Sequence, residues 1–361
     1  MADKDARLTS IQYLRAAAAL AVIVYHALGQ IEHRTGYSAP WQDLGAAGVD
    51  LFFIVSGFVM WRTAIDRNES VSRFALKRIV RIVPLYWLIT TFVLGVVLVA
   101  PELMRSASRD FAHFAASYAF IAWPHPILEG HYWPAVVPGW TLNYEMLFYL
   151  VVAVSLALGK RYRVGFIAAV LVSLVTAGYV VQPNNVLAFY TDPILLEFLF
   201  GVGVGVLMTR AQPFSPRLGY GLMIAGGSLF LIAGTVWGME ASRALTFGVP
   251  LAILVIGALS VPTQTRSPVS RFFEILGDAS YSIYLIQFIT IAPVAAVLIR
   301  VYGHLNVWLA HAVFCAGILV TATATGVCTY YLVEKPILRL SKDWLKAKPV
   351  RSASPGLTAE W

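Results

Sequence analysis

Residues 11–30 read IQYLRAAAALAVIVYHALGQ, and this stretch decides the class of the fold. It carries one charge, Arg15, in a run about as long as the 20 residues that a hydrocarbon core of roughly 30 Å requires of a helix. Comparable runs, bounded by charge, proline or glycine, recur along the chain. They predict ten transmembrane helices near residues 11–30, 46–62, 82–100, 139–158, 164–181, 190–209, 218–237, 244–261, 279–299 and 308–332. With 58% apolar and 13% charged residues, the 361-residue chain lies far outside the soluble norm. The expected class is therefore all-α, a polytopic integral membrane helical bundle. One membrane domain takes residues 1–340, and residues 341–361, ending in Ser, Pro, Gly and Thr, read as a flexible tail. Lys4, Arg7 and Arg15 ahead of an apolar run imitate a signal peptide, but no small-x-small cleavage site follows, so an uncleaved first span is expected.

The distribution of basic residues orients these spans. Alternate loops place 21 of the 27 Lys and Arg residues on one side, five on the other, and Arg15 within the first span. By the positive-inside rule both termini face the cytoplasm. The net charge of +8 is thus a consequence of topology. It calls for no nucleic acid, and the lipid bilayer is the expected partner of the basic loops. Cys315 and Cys328 lack metal-ligand spacing and read as small hydrophobes, so no metal is expected. The segment from about 101 to 138, with Trp123, His125, His131, Tyr132 and Trp133 among its prolines, is too long for a plain connection. It reads as an ordered lid or re-entrant loop.

Ionisable side chains inside a bilayer cost several kcal/mol and mark functional sites by default. Here they are Arg15, His26, Asp50, Glu145 and Glu197, with Arg78 and Arg81 at the lip of the third span. Arg15 and His26 lie eleven residues apart, three turns plus about 20°, so they share one helical face some 16 Å apart along the axis. Counted from the ends of the predicted spans, Asp50 and Glu145 reach the depth of His26, with Asn143 slightly shallower. A carboxylate there would orient the imidazole. Glu197, in LLEFLFGVGVG, is as well explained by glycine-mediated helix packing as by catalysis. Arg78 and Arg81, at i and i+3, join Arg15 to build an anion site, since guanidinium forks suit phosphate oxygens. A ligand with phosphates at one end and a reactive group on a long arm fits this layout, as acyl-CoA does.

The same residues resemble the bacterial acyltransferase-3 family of membrane O-acyltransferases. IQYLRAAAALAVIVYH carries that family's Arg and His, ten residues between them, as Arg15 and His26. AAGVDLFFIVSGFVMW, RFALKRIVRIVPLYW, PGWTLNYEMLFY, LGDASYSIYLIQF and YYLVEKPILR resemble its later blocks in order. The resemblance is closest to exopolysaccharide acetyltransferases, and it implies cytoplasmic acetyl-CoA as donor and a polysaccharide or lipid-linked saccharide as acceptor. One departure stands out: Gln287 occupies a position where many members have His, and an amide hydrogen-bonds but shuttles no proton. No fused esterase-like domain is expected.

Together these readings assign Arg15, Arg78 and Arg81 to CoA phosphates, His26 with Asp50 and Glu145 to catalysis, and Trp140, Asn143 and Gln287 to the acceptor side. A secondary transporter, or a non-catalytic subunit of polysaccharide export, is the rival class; the two halves of the chain show no similarity that would favour a transporter.

Overall fold

The computed structural model describes residues 2–104, 107–210, 214–238, 242–263, 267–302 and 306–347. Lipid offers no hydrogen bonds, so a spanning chain must satisfy its own backbone, which helices do within one segment. The described residues accordingly form helices and connections, in the order α1 (Ala2–Thr35), α2 (Gln42–Ala46), α3 (Gly48–Met60), α4 (Val71–Val99), α5 (Phe111–Tyr118), α6 (Trp140–Leu156), α7 (Arg163–Val181), α8 (Val186–Tyr190), α9 (Leu195–Arg210), α10 (Pro216–Val236), α11 (Val249–Ser260), α12 (Pro268–Tyr302), α13 (Val307–Thr329) and α14 (Lys335–Ala347). Among them, nine helical stretches are long and apolar enough to cross a bilayer. A shorter apolar one, Ala244–Ser260, makes up the tenth expected segment.

Three boundaries differ from expectation in ways that matter for the site. The first helix runs on to Thr35, and the second span starts at Gln42 rather than 46, with a break at Ala47. The third span starts at Val71 rather than 82, so the basic stretch RFALKRIVR forms its first turns and Arg78 and Arg81 stand within the helix rather than at its lip. The stretch expected to be a tail from 341 begins as helix, since α14 continues through Ala347; residues 348–361 lie outside the described residues.

Small residues set the closest helix crossings, as expected where lipid removes the hydrophobic drive between helices. A Cβ on Gly57 of α3 would lie 2.1 Å from the Phe198 carbonyl oxygen of α9, and one on Gly201 would lie 2.0 Å from that of Ile54. On α12, Gly277 is pressed against the backbone of Gln12 in the same way, which sets α1 alongside α12. The buried Arg163 ties together one end of the bundle, donating to the carbonyls of Ile65, Leu156 and Leu158 and to Asn68, while Lys160 pairs with Asp66 at 3.1 Å. These are loops from the basic-rich set, and their end is the basic face below.

The opposite face is covered by the long connection after α4, and its histidines hold it in shape. His113 bonds the Trp133 carbonyl through Nε2 (2.8 Å), His125 accepts at Nδ1 from the backbone of Ile127 and Leu128, and the His125 backbone N–H donates to the carbonyl of His131. Ser117 and the Tyr190 hydroxyl anchor the backbone at Ala135 and Ala122. The chain then dives inward: Pro138 and Gly139 are buried, with Gly139 packed on Tyr86. Consequently α6 begins inside the protein.

Candidate active site

Five helices converge on one cavity of about 160 Å³ near the basic face. From α3 come Val49, Phe52, Phe53, Ser56, Val59 and Met60, the i, i+3, i+4, i+7 stripe that one helix face supplies. Helix α6 gives Thr141, Leu142, Glu145 and Tyr149; α12 gives Ser280, Tyr281 and Tyr284; Arg78, Arg81 and Ile82 come from α4. Arg15 of α1 completes the wall. The structure therefore brings Arg15, Arg78, Arg81 and Glu145 together, from helices far apart in sequence.

Each charged group in this wall has a distinct environment. Arg81 is held by the carboxylate of Glu334, which also accepts from Ser282 Oγ at 2.5 Å. Arg15 donates to Gln12 Oε1 at 3.2 Å, and the charges acting on it include Arg81, Glu334, Asp278 and Glu145. Arg78 makes no hydrogen bond or ion pair among the described residues; its guanidinium sits 5.9 and 5.8 Å from the rings of Phe74 and Tyr149. Glu145 accepts from Ser56 Oγ at 3.1 Å and from the Tyr149 hydroxyl. At the far end the Tyr284 hydroxyl donates to the Pro138 carbonyl (3.1 Å) and accepts from Thr141 Oγ1 (3.2 Å). An anion-attracting mouth thus opens onto a mostly apolar chamber holding one carboxylate and several hydroxyls.

The remaining expected site residues lie elsewhere, which corrects the idea of one convergent catalytic cluster. His26 does not line the cavity; it packs edge-on against the Tyr25 ring and makes no hydrogen bond or ion pair among the described residues. Asp50 does not orient it. The register of α1 against α2 and α3 seats Gly45 on Ala21 and Tyr25 and Gly48 on Ala18 and Val22, so Asp50 lies beyond Ala18, about two turns, ~12 Å, from His26. Its partner is Arg243, which donates Nε and Nη2 to the Asp50 carboxylate at 2.7–3.1 Å and Nη2 to the Ala46 carbonyl. Glu197, fully buried, belongs to the same group: Asp50, Asp192 and Arg243 all act on it, and its Cγ lies 3.2 Å from a Cβ built on Gly248. Glu145 sits with the guanidinium groups instead of with His26, because α6 starts below the cover and is already deep at its first turn.

Asn143 and Trp140 also miss the cavity, for a reason of helical phase. At 100° per residue they stand about 200° and 140° from Glu145. Asn143 is buried with neither amide atom bonded to a described group, and Trp140 packs edge-on against Tyr144. Gln287 follows Ser280 and Tyr284 on one stripe of α12, one turn past the chamber; it donates Nε2 to the Tyr284 carbonyl, and its Oε1 is buried without a partner among the described residues. Sequence reading misses Glu334 and Arg243. The first sits in the motif YYLVEKP without any spacing to flag it, and the second is one of only five basic residues on the sparsely charged side, which is its signal. Among the described residues no group of three or more His, Cys, Asp or Glu is placed to hold a metal ion.

Breaking the Asp50 and Arg243 pair separates a structural from a catalytic role. Asp50→Asn strands a mostly buried guanidinium and is expected to cost about 3–5 kcal/mol. Adding Arg243→Met should recover most of that loss in a thermal unfolding assay of detergent-solubilised protein.

Comparison with known proteins gives a consistent answer. A sequence profile of the acyltransferase domain matches residues 8–330. The exopolysaccharide production protein ExoZ of Rhizobium meliloti is 34% identical over 318 residues, covering 88% of this chain and 96% of that protein. Acyltransferase MdmB of Streptomyces mycarofaciens is 26% identical across 100% of this chain and 98% of its own length. The peptidoglycan O-acetyltransferase OatA of Listeria monocytogenes is 24% identical over 76% of this chain, which corresponds to 48% of OatA. No solved structure matches. With its helical membrane fold and a family match across nearly all of its length, the chain belongs to the acyltransferase-3 family and is a multi-pass membrane acyltransferase.

Proposed function

We propose that the protein transfers an acetyl group from cytoplasmic acetyl-CoA to a hydroxyl of an extracytoplasmic or lipid-linked saccharide, in the bacterial inner membrane. The observation that carries this reading is the cavity itself, with three guanidinium groups around an apolar chamber next to the basic face. Phosphates of CoA settle in the combined field of Arg15, Arg78 and Arg81, and the pantetheine arm brings the thioester into the chamber. Its volume is close to that of an engineered cavity that takes up benzene, so the enclosed part suits a two-carbon acyl group better than a long chain. The similarity to an exopolysaccharide production protein and a peptidoglycan O-acetyltransferase supports a polysaccharide acceptor and acetyl as the acyl group.

In this reading the acceptor comes from the face opposite the basic one, past Trp140, Asn143 and Gln287. His26 takes the proton from the acceptor hydroxyl as its oxygen attacks the thioester carbonyl; the C–S bond breaks, and the proton passes to the departing CoA thiolate. Phe52 lines the cavity and packs edge-on against Tyr284 at its far end. Glu145, bonded by Ser56 and Tyr149, offsets part of the guanidinium charge close to the thioester.

The deciding experiment feeds acetyl-labelled acetyl-CoA and exopolysaccharide fragments to the purified full chain in proteoliposomes. Release of CoA thiol matched by label on the saccharide is expected. Intact thioester in every acceptor mixture, with saccharide exchange across the vesicle wall, would establish the transporter reading in its place.

A further inference from the structure

We infer that Glu334 is a positioning residue that holds Arg81 away from incoming phosphates, leaves Arg78 as the principal anion-binding guanidinium, and so limits how tightly CoA is gripped. This deepens the acyl-CoA reading of the cavity and rests on it.

Arg78 and Arg81 look equivalent by spacing, one turn apart on α4, but their surroundings differ. The Glu334 carboxylate is 2% exposed and closes the π-helical turn Tyr330–Glu334 between α13 and α14. One of its oxygens accepts from Arg81 and the other from Ser282, and the Tyr281 ring lies 5.6 Å from the Arg81 guanidinium. Arg81 remains 24% exposed and still lines the cavity, so its charge faces the ligand while its hydrogen bonds go to Glu334. Arg78 has aromatic rings as neighbours and a buried Nε without a partner among the described residues. Its fork is the one left open to a phosphate.

The charge balance explains what such a carboxylate is for. Three guanidinium groups face two carboxylates, Glu145 and Glu334, leaving one positive charge for a ligand with several negative ones. Acetyl-CoA and CoA carry the same phosphates, so grip on them is uniform binding: it holds product as firmly as substrate and adds nothing to turnover once the site is filled. A buried counter-charge that weakens this grip speeds departure of CoA, a step that limits many enzymes.

The test is a calorimetric titration of the detergent-solubilised full chain with CoA, alongside product inhibition by CoA in the transfer assay. Glu334→Gln keeps the shape and the Ser282 contact but frees Arg81. It should bind CoA roughly ten-fold tighter, the effect of one charge at about 12 Å with an effective dielectric near 20, and CoA should inhibit it more strongly. A merely structural tether predicts the opposite sign, so unchanged or weaker CoA binding in a folded Glu334→Gln protein overturns the inference. Should that variant fail to fold, the double change Arg81→Met with Glu334→Gln removes a neutral pair. CoA affinity within about three-fold of the unaltered chain supports the assignment; a loss beyond that makes Arg81 a direct phosphate ligand and overturns it. If the unaltered chain binds no CoA, the acyl-CoA reading itself falls.

Discussion

An alanine at position 26 is expected to leave CoA binding unchanged and to lower acetyl transfer by roughly 10²–10⁴-fold, the span associated with losing a positioned general base. The separation of the two effects follows from the geometry. His26 shares a helical stripe with Arg15 but lies some 16 Å further along α1, and it takes no part in the wall of the cavity. Removing the imidazole therefore leaves the anion site whole. Because His26 makes no hydrogen bond or ion pair among the described residues, its removal also strands no partner, and stability should hardly change. Glutamine at 26 should be as inactive as alanine, since an amide fills the space and hydrogen-bonds but carries no titrating proton. Thiol release and label transfer by each variant, measured beside CoA titrations, check the prediction. Turnover within a few-fold of the unaltered chain would remove His26 from the chemistry and turn attention to Glu145, the carboxylate that the cavity does contain.

Arg78→Met is expected to raise KM for acetyl-CoA about 10–100-fold with kcat nearly unchanged, the signature of losing binding shared by ground and transition states. A charge-assisted hydrogen bond contributes about 1.5–3 kcal/mol, and Arg78 offers its fork with no internal competitor among the described residues. Lysine at 78 should recover only part of the loss, because a point charge cannot make the bidentate contact. Methionine is a fair replacement, as the side chain lies against Phe74 and Tyr149 and would keep those apolar contacts. Initial rates across a range of acetyl-CoA concentrations separate KM from kcat. A fall in kcat with KM intact would mean that Arg78 acts on the transition state and not on the phosphates.

These two predictions divide the site between residues that sequence spacing singles out and a geometry that rearranges their roles. Arg15, Arg78, Arg81 and Glu145 are all ionisable groups where lipid penalises them, and the structure gathers all four in one wall. Asp50 stands out for the same reason, yet it faces Arg243, about 200 residues away, while its neighbour Val49 faces the cavity. One step along a helix turns a side chain by 100°, so a shared depth does not mean a shared face. The same periodicity, applied to positions 140, 143 and 145, is enough to set Trp140 and Asn143 on faces away from Glu145.

Sequence by itself determined the helical membrane class, the positions of the ten apolar segments, the asymmetry of basic charge and the ionisable residues worth attention. It could do so because the bilayer acts on each segment separately: length, hydropathy and charge are local properties, and lipid reads them one helix at a time. Only the tertiary structure decided which of those residues meet, that Glu334 takes Arg81 and Arg243 takes Asp50, and that the cavity ends before His26. Those outcomes depend on helix register and rotation, set by close contacts such as Gly57 on Gly201, Gly48 on Ala18 and Gly277 on Gln12. Each of them needs two backbones from different parts of the chain, and no single segment carries that information.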